Sequence, residues 1–304
     1  SVPEVDLVVI GHTHQDDPVE IVDGISGHKV VITQPDYWAR SVSQVTIPLN
    51  FSATKVTIRH DQITVKPRYT RDVKEDTEFA SDSQLQTDHK ATVRYVNSVV
   101  ATSTETLTTE RSMVEDTPIL DFIGKVEADT VAKAIKGGTY NGIPVIAQVS
   151  PFSRTAAFPK GDVKIKDIAG LYVFDNTLAG ILLTGKQLKD YLEYSAKYFK
   201  QAKKGAAVNP APASEGGDTQ ADYQGKPVWD YNYDAVTGVT YSIDISRPVG
   251  ARILGLSWQG RPVAHDQRFL LAINNYRMSG GGGYPHVAEA PVVWDEILEI
   301  RQLL

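Results

Sequence analysis

An apolar run close to the start of the chain, Val5 to Ile10, constrains the fold more than any other segment. Its aliphatic side chains are typical of a strand buried inside a sheet. Only four residues precede it, so it would enter that sheet without an earlier partner. The first residues also do not show the charged and apolar segments of a signal peptide. We therefore expect the chain to be a fragment that begins at a late strand of a larger domain.

The composition predicts an ordinary globular protein and excludes several function classes. The 304 residues suffice for about two domains, with 41% hydrophobic and 22% charged residues. No apolar run approaches the ~18 residues of a membrane-spanning helix. A formal net charge of −6 without a basic stripe argues against duplex nucleic acid as a partner. The lack of cysteine excludes disulfides and thiolate metal sites but leaves the cellular compartment open. We expect a monomer.

The hydrophobic pattern changes twice along the chain. The part up to residue 66 alternates short β-like runs with turn residues and predicts a strand meander. Residues 67–111 contain an amphipathic helix from Asp82 to Val100 between polar runs, which favours a linker between domains over a surface helix of one domain. The strands predicted in the first part are Lys29–Thr33, Val42–Ile47, Val56–Arg59 and Ile63–Lys66.

Residues 112–304 mix helices and strands and predict an α+β domain. One helix begins at Thr117-Pro118, a capping residue followed by proline in the first turn, and ends at Gly137-Gly138. A second helix covers Thr184 to Phe199, and the Gly/Ala/Pro/Ser-rich stretch after it, 201–225, predicts a mobile loop. The strands and short apolar segments expected around them are Ile143–Val149, Leu171–Phe174, Ala179–Leu183, Val239–Ile245, Arg252–Trp258 and Arg268–Asn274.

A Gly11-His12-Thr13-His14 motif follows the first predicted strand directly. Two imidazoles two residues apart at a strand end can each bind a different divalent ion, although an isolated His-x-His pair is more often an exposed loop. A strand that feeds into this motif resembles the last metal-binding motif of the calcineurin-like metallophosphatases. The resemblance implies that His12 and His14 are ligands of a two-metal site for manganese, zinc or similar divalent ions.

Most of that two-metal site would be missing from this chain. A two-metal hydrolase needs further ligands, several of them carboxylates. The resembling family supplies them from Asp-x-His, Gly-Asp and Gly-Asn-His motifs ahead of Gly-His-x-His, and none of these stands before Gly11. We therefore expect no complete catalytic residue set and no bound metal pair in the fragment alone.

A second motif, from Asn274 to Pro285, combines polar residues with four consecutive glycines. The glycines suggest a phosphate-binding loop, but the Lys-Ser/Thr that completes such a loop is lacking and no helix pattern follows at once. A structural loop that holds Tyr276 and Arg277 beside a pocket is the favoured interpretation. The segment resembles the Asn-Tyr-Arg, Gly-Gly-x-Gly, aromatic-Pro signature of the 5′-nucleotidase C-terminal domain.

A third motif, Leu171 to Leu178, resembles an aromatic-x-Asn turn of the same domain. The family uses that aromatic as one face of a sandwich around the nucleobase, so the resemblance implies that Phe174 stacks on a base beside Asn176. The second face is expected between Trp229 and Asp234, with Tyr231 as first choice and Tyr233 as second. Core packing is the ordinary role of an isolated Phe or Tyr, but two aromatic faces and an amide suit any flat, edge-polar base.

Within this superfamily the chain is similar to the bacterial 2′,3′-cyclic-nucleotide 2′-phosphodiesterase/3′-nucleotidase branch. The likeness rests on Asp116-Thr117-Pro118, Tyr231 to Asp234, Gly238 to Asp244 and Asn274 to Arg277. It implies further substrate contacts at Asp244 and at Arg154, the latter only if its loop faces the cleft.

The resemblance also implies an overall organisation. Residues 1–66 would be the end of a metallophosphatase β-sandwich, 67–111 a linker with a long helix, and 112–304 a 5′-nucleotidase-type substrate-binding domain. It implies an extracellular, cell-wall or periplasmic location.

Two function classes remain open at this stage. The intact parent would be a two-metal phosphoesterase acting on 2′,3′-cyclic nucleotides and 3′-nucleotides, with a 5′-nucleotidase or UDP-sugar hydrolase as the alternative. The fragment itself would be a nucleoside-binding module without turnover. A sugar- or cell-wall-binding domain on the same fold is a remoter third class.

Overall fold

The computed structural model describes residues 5–12, 16–25 and 27–304. Two compact units divide the chain, residues 1–90 and 91–304, and the division falls inside a helix, α2. Among the described residues, no helix combines the length and apolar character needed to cross a membrane.

The first unit is built mainly from short strands. Strands β1 and β3 pair in parallel, with Leu7 opposite Val31, and β2 pairs with β3 in the antiparallel sense. Two further antiparallel pairs are β4 with β7 and β5 with β6. The short strands predicted here are present, but β4 pairs with β7 rather than with the next strand in sequence, so they do not form the simple meander expected. The elements are β1 Leu7–Val9, β2 Asp17–Asp23, β3 Lys29–Gln34, β4 Ser41–Thr46, β5 Leu49–Phe51, β6 Val56–Ile58, β7 Thr64–Tyr69, α1 Thr77–Ala80 and α2 Ser83–Val96.

The second unit is a mixed α+β structure, as predicted. Its elements are β8 Val99–Ser103, β9 Leu107–Thr108, α3 Pro118–Ala134, β10 Val145–Val149, β11 Ala157–Phe158, β12 Gly161–Lys164, α4 Ile165–Leu171, β13 Thr177–Thr184, α5 Gly185–Ser195, β14 Asp222–Tyr223, β15 Lys226–Pro227, β16 Ala235–Thr237, β17 Thr240–Ile243, β18 Ile253–Trp258, β19 Arg261–Pro262, β20 Arg268–Asn274, α6 Asn275–Met278, β21 Val292–Glu299 and α7 Ile300–Leu303.

A five-stranded sheet forms the centre of this unit, in the order β16-β10-β20-β13-β21. Only β10 and β20 run parallel to each other. Helix α3 packs on one face, and α5 packs on the other. Successive side chains of β20 alternate between these two layers, so Leu270 and Ala272 meet α3 while Leu271 and Ile273 meet α5. A strand buried on both faces is apolar at every position, which explains the unbroken hydrophobic run of β20.

The local start signals read from the sequence are confirmed. Thr117 is the N-cap of α3 with proline at its first position. Thr184 caps α5 in a capping box, in which the backbone amide of Gln187 donates to the Thr184 hydroxyl and the Gln187 side chain accepts from the Thr184 amide. Asp82 accepts hydrogen bonds from the first amides of α2, but α2 ends at Val96 and Val100 lies in a strand.

Other expectations need correction. Residues 99–108 pair with β12 and β11, so the second unit begins before residue 112 and this stretch is not a free linker flank. The 201–225 stretch is largely irregular, but Thr219 within it is fully buried. Leu171 to Phe174 is the end of α4 and a turn rather than a strand, and β21 was not predicted.

Helix α3 packs so closely on β16 that the contact tolerates no side chain at Gly124. A Cβ added there would overlap the Thr237 side chain. We expect Gly124→Ala to lower the free energy of unfolding by about 1–3 kcal/mol because of this overpacking. Gly170→Ala in α4 is the matched control, since its Cβ would enter open space. It should be neutral or stabilising. Urea unfolding of both variants measures the difference, and equal effects would contradict the close packing.

Candidate functional site

Two of the predicted substrate residues, Phe174 and Asn176, lie in the turn that enters the central sheet at the start of β13. Strands β13 and β20 are antiparallel, and Leu178 near the start of β13 lies opposite Asn274 at the end of β20. The turn that carries Phe174 and Asn176 therefore enters the sheet where the chain leaves β20. The two segments are bonded directly, because the backbone amide of Thr177 donates to Oδ1 of Asn275 at 3.1 Å.

Three aromatic side chains belonging to this region remain exposed. Phe174 is 39% exposed, and Tyr231 and Tyr276 are each 42% exposed. Phe174 packs edge-on against Phe152, with ring centroids 4.8 Å apart. Partial burial and the nearby Tyr276 hydroxyl raise the pKa of Tyr231 above its ordinary value. Aromatic rings held by neighbours but open to solvent provide stacking surface at a small cost in side-chain entropy.

Arg301 holds the turn that carries Phe174. Its Nε donates to the Tyr172 carbonyl at 3.0 Å, and its Nη2 donates to the Val173 carbonyl at 3.0 Å. The same guanidinium lies 2.8 Å from Asp175 Oδ1. These contacts hold the backbone just before Phe174 and the Asp175 side chain just after it, although Arg301 itself is far away in the sequence.

A buried ion pair, Arg277 with Asp234, holds the Tyr231 and Tyr276 segments together. Nε of Arg277 donates to Asp234 Oδ2 at 2.6 Å, and Nη2 donates to Oδ1 at 3.0 Å. Both side chains are at most 1% exposed. Nη2 also donates to the Tyr231 carbonyl at 2.6 Å, which anchors the segment that presents Tyr231. Burial opposes the positive charge, but Asp234 outweighs it and raises the pKa of Arg277.

The Asp234 carboxylate is satisfied by further buried donors. The Ser150 hydroxyl donates to Oδ1 at 2.5 Å and the Gln148 amide at 3.1 Å, while the Tyr191 hydroxyl donates to Oδ2. The side-chain oxygen Oε1 of Gln148 in turn accepts from the side-chain amide of Asn274 at 2.9 Å. A buried charge is tolerable only with such a full set of partners. The network therefore connects β10, α5, β20 and the Tyr231 segment into one rigid support.

The glycine run packs against this support rather than forming a phosphate loop. A Cβ at Gly281 would overlap the Tyr276 ring, and one at Gly282 would lie too close to the Arg277 guanidinium and to Asn232. Gly282 also has a φ of +77°, which favours glycine. This geometry agrees with the structural loop favoured from the sequence.

Three of the predicted substrate residues have other roles in the structure. Tyr233 is 5% exposed and stacks on Tyr198 at 4.5 Å, so it has no open face for a base. Arg154 pairs with Asp230 at 2.6 Å and also bonds a carbonyl and two hydroxyl groups. Asp244 accepts from Ser246 and Arg247 in a turn. The Tyr233 assignment is corrected to a core residue, and Arg154 and Asp244 engage internal partners.

The Gly-His-Thr-His motif is only partly described. His12 is exposed, with a φ of 71°, just after β1. His14 lies outside the described residues. Among the residues that are described, no second and third His, Asp or Glu side chain joins His12 within coordinating distance.

A cavity of about 380 Å³ lies elsewhere in the second unit. Its lining includes Asp116, Asp121 and Tyr241 and neither Phe174 nor Tyr276. Partial burial, with the neighbouring Asp116 carboxylate, raises the pKa of Asp121. The cavity is separate from the aromatic edge.

Sequence reasoning placed Tyr276 beside a pocket but did not assign it as a stacking face, and it missed Arg301 and Asp234 as supports. Tyr276 had a usable signal, because it lies two residues after the predicted strand 268–274 inside a recognised motif. Arg301 and Asp234 had none, since their partners are distant in sequence.

Comparison with known proteins gives a family match over most of the second unit. Residues 99–289 match the family model described as 5′-nucleotidase, C-terminal domain. A 2′,3′-cyclic-nucleotide 2′-phosphodiesterase/3′-nucleotidase from Haemophilus influenzae is 27% identical across 100% of this chain and 50% of its own length. A trifunctional nucleotide phosphoesterase from Bacillus subtilis is 26% identical across 99% of this chain and 22% of its own length. The chain thus spans half or less of these relatives.

Solved structures agree in fold. A Staphylococcus aureus protein assigned as a 5′-nucleotidase, solved with α-ketoglutarate, aligns with a TM-score of 0.73 and 23% identity over 99% of this chain and 52% of that protein. A 5′-nucleotidase precursor from Thermus thermophilus aligns with a TM-score of 0.55 and 17% identity over 98% of this chain and 53% of its own.

Removing the acidic partner of Arg277 should destabilise the second unit strongly. We expect Asp234→Asn to lower the free energy of unfolding by about 3–5 kcal/mol, because it leaves a buried guanidinium without its counter-charge. Asp244→Asn is the matched control at a partly exposed turn pair, where the loss should be much smaller because solvent screens the pair. Denaturant unfolding compares the two. Similar losses in both variants would show that the buried pair is not the support described here.

Proposed function

Because the chain belongs to the 5′-nucleotidase C-terminal domain family, we propose that its second unit binds the nucleotide substrate of a phosphoesterase. The observation that carries the proposal is the set of exposed aromatic rings, Phe174, Tyr231 and Tyr276, on segments tied to each other and to a buried network. Nucleobases stack on such rings whatever their edge chemistry. Asn176 stands beside Phe174 and offers an amide to a base edge.

The preferred assignment of the rings differs from the sequence expectation. Phe174 remains the first face of the base site. Tyr276 joins Tyr231 as a candidate for the second stacking face of the base site. The end of β20 lies beside the start of β13, so Tyr276, just after β20, and Phe174, just before β13, are at the same edge of the sheet. Tyr233 is not part of the proposal.

For the intact parent we propose hydrolysis of 2′,3′-cyclic nucleotides and 3′-nucleotides. Matches to two relatives bearing that name, over 100% and 95% of this chain and about half of each relative, support it. A 5′-nucleotidase activity is the alternative, because both structural neighbours carry that name. A UDP-sugar hydrolase is a further alternative for the parent and would use the same base site. The other class of function is a nucleoside-binding module that catalyses no reaction.

A divalent metal pair would supply the activated water in the parent. We propose that His12 and His14 contribute two of its ligands, with the remaining ligands coming from sequence outside these 304 residues. The second unit would bind and orient the base and ribose, and its own side chains would carry out no proton transfer. An extracellular, cell-wall or periplasmic location is part of this proposal.

The base site can be tested by nucleotide binding without metal. Phe174→Ala and Tyr276→Ala should each weaken calorimetric binding of adenosine 3′-monophosphate about ten- to a hundredfold, because each removes a stacking face. Phe174→Tyr should bind nearly as well as the unaltered chain, since the ring face persists.

Tyr95→Ala is the control, because Tyr95 is exposed but lies on α2 outside the central sheet. It should leave affinity unchanged. A large loss of thermal stability with unaltered affinity in Phe174→Ala would instead make Phe174 a core residue and contradict the stacking role.

Catalysis by the chain alone gives a second test. We expect no hydrolysis of 2′,3′-cyclic AMP by the purified 304-residue chain in manganese or zinc, because His12 and His14 lack carboxylate co-ligands in this sequence. Chromatographic separation of 2′,3′-cyclic AMP from its ring-opened product AMP and from adenosine measures it. Turnover that survives repurification and disappears in His12→Ala would overturn the view that the two histidines are an incomplete ligand set.

A further inference from the structure

Three polar side chains of the first unit converge at one end of a parallel strand pair. Asp6 precedes β1, and His28 precedes β3, its parallel neighbour. Strands that run parallel begin at the same sheet edge, so these two side chains meet there. His60 joins them from a short 3-10 helix, His60–Gln62, between β6 and β7. The three residues lie far apart in sequence and are brought together by the fold alone.

The ligand atoms of this Asp6-His28-His60 cluster are within coordinating reach of one another. One such atom from each residue lies within 4.8 Å of the other two. Nε2 of His28 is 3.4 Å from Asp6 Oδ1, and Nδ1 of His60 is 2.5 Å from the same oxygen. The two imidazole centroids are 4.3 Å apart. Across residues 5–12, 16–25 and 27–304, no other group of three His, Asp or Glu side chains is this close.

Internal hydrogen bonds leave part of the cluster unsatisfied. Oδ1 of Asp6 and Nδ1 of His60 are buried, and within the described part of the chain neither makes a hydrogen bond of acceptable geometry. The two atoms lie 2.5 Å apart, which is ion-pair distance if His60 carries a proton on Nδ1, but their geometry is not that of an aligned hydrogen bond. His28 Nε2 lies 3.2 Å from the Val5 carbonyl, a contact that it would exchange for coordination. Buried polar atoms normally have partners, so these two call for an explanation.

A cation between the three side chains would satisfy these atoms, and we propose that Asp6, His28 and His60 form a binding site for zinc or a similar divalent transition metal. Two imidazole nitrogens and one carboxylate oxygen are the donors that such ions prefer, whereas magnesium and calcium take oxygen ligands. Ligands of tetrahedral zinc lie about 3.3 Å apart, given bonds of about 2.0 Å. The Asp6–His28 separation already matches, and the Asp6–His60 separation needs to open by less than about 1 Å.

The site is not the Gly-His-Thr-His motif. Asp6 precedes β1 and His12 follows it, so the two lie at opposite ends of that strand. With three protein ligands drawn from three separate segments, the ion would join the starts of β1 and β3 to the connection between β6 and β7. Metal binding would then stabilise the first unit, since a ligand that binds the folded state alone shifts unfolding.

Zinc binding to the full chain tests the proposal. The experiment uses the His12→Ala/His14→Ala background, stripped of metal with EDTA, so that the second motif cannot contribute. Calorimetric titration with zinc chloride should give one site, and zinc should raise the melting temperature. Cobalt should show the visible absorption of a tetrahedral complex. Absence of a zinc site in this background would overturn the proposal.

Matched substitutions assign the ligands. Asp6→Asn and His60→Gln should each weaken zinc binding at least about tenfold and abolish the rise in melting temperature. Asp61→Asn changes an exposed carboxylate that neighbours His60 but is not part of the cluster, and His265→Gln changes an exposed imidazole in the second unit. Both should retain the zinc site. Circular dichroism establishes that each variant is folded. If folded Asp6→Asn binds zinc as tightly as its background, the cluster is not the site. Nucleotide binding by the second unit does not enter this test, so the two proposals can fail separately.

Discussion

The buried pair between Arg277 and Asp234 is the interaction on which the positions of the Tyr231 and Tyr276 segments depend. Its two charges are almost fully removed from water, and such a pair is stable only when every remaining donor and acceptor is used. The partners of Asp234 come from β10 and α5, and Arg277 bonds the carbonyl of Tyr231. One ion pair therefore sets the positions of Tyr231 and Tyr276 at the same time.

The sheet register supplies the second constraint. Antiparallel pairing of β13 and β20 brings the turn before one strand and the helix after the other to a common edge. The hydrogen bond from Thr177 to Asn275 and the contacts of Arg301 then hold that edge in place. The proposed base site is thus held in place by internal contacts, and a preformed site loses less ordering entropy on binding.

The two units illustrate different uses of histidine and carboxylate groups. In the second unit the Asp234 carboxylate is fully engaged by internal donors. In the first unit Asp6 and His60 bring buried atoms together without completing their hydrogen bonds. That contrast, rather than residue type, separates a structural ion pair from a candidate ligand cluster. His28 and His60 are isolated polar residues in the sequence, so no local pattern indicated that they could bind a metal.

The sequence by itself determined what depends on neighbours along the chain: the caps at Thr117 and Thr184, the buried strand 268–274, the α+β class and the family motifs. Those signals act over a few residues, because capping and hydrophobic periodicity are local. Only the tertiary structure decided which tyrosine faces solvent. Tyr231 and Tyr233 share one motif, yet Tyr233 packs on Tyr198 and Tyr231 is open. Which of the two rings is covered depends on packing against chain segments distant in sequence, and no local pattern encodes that packing.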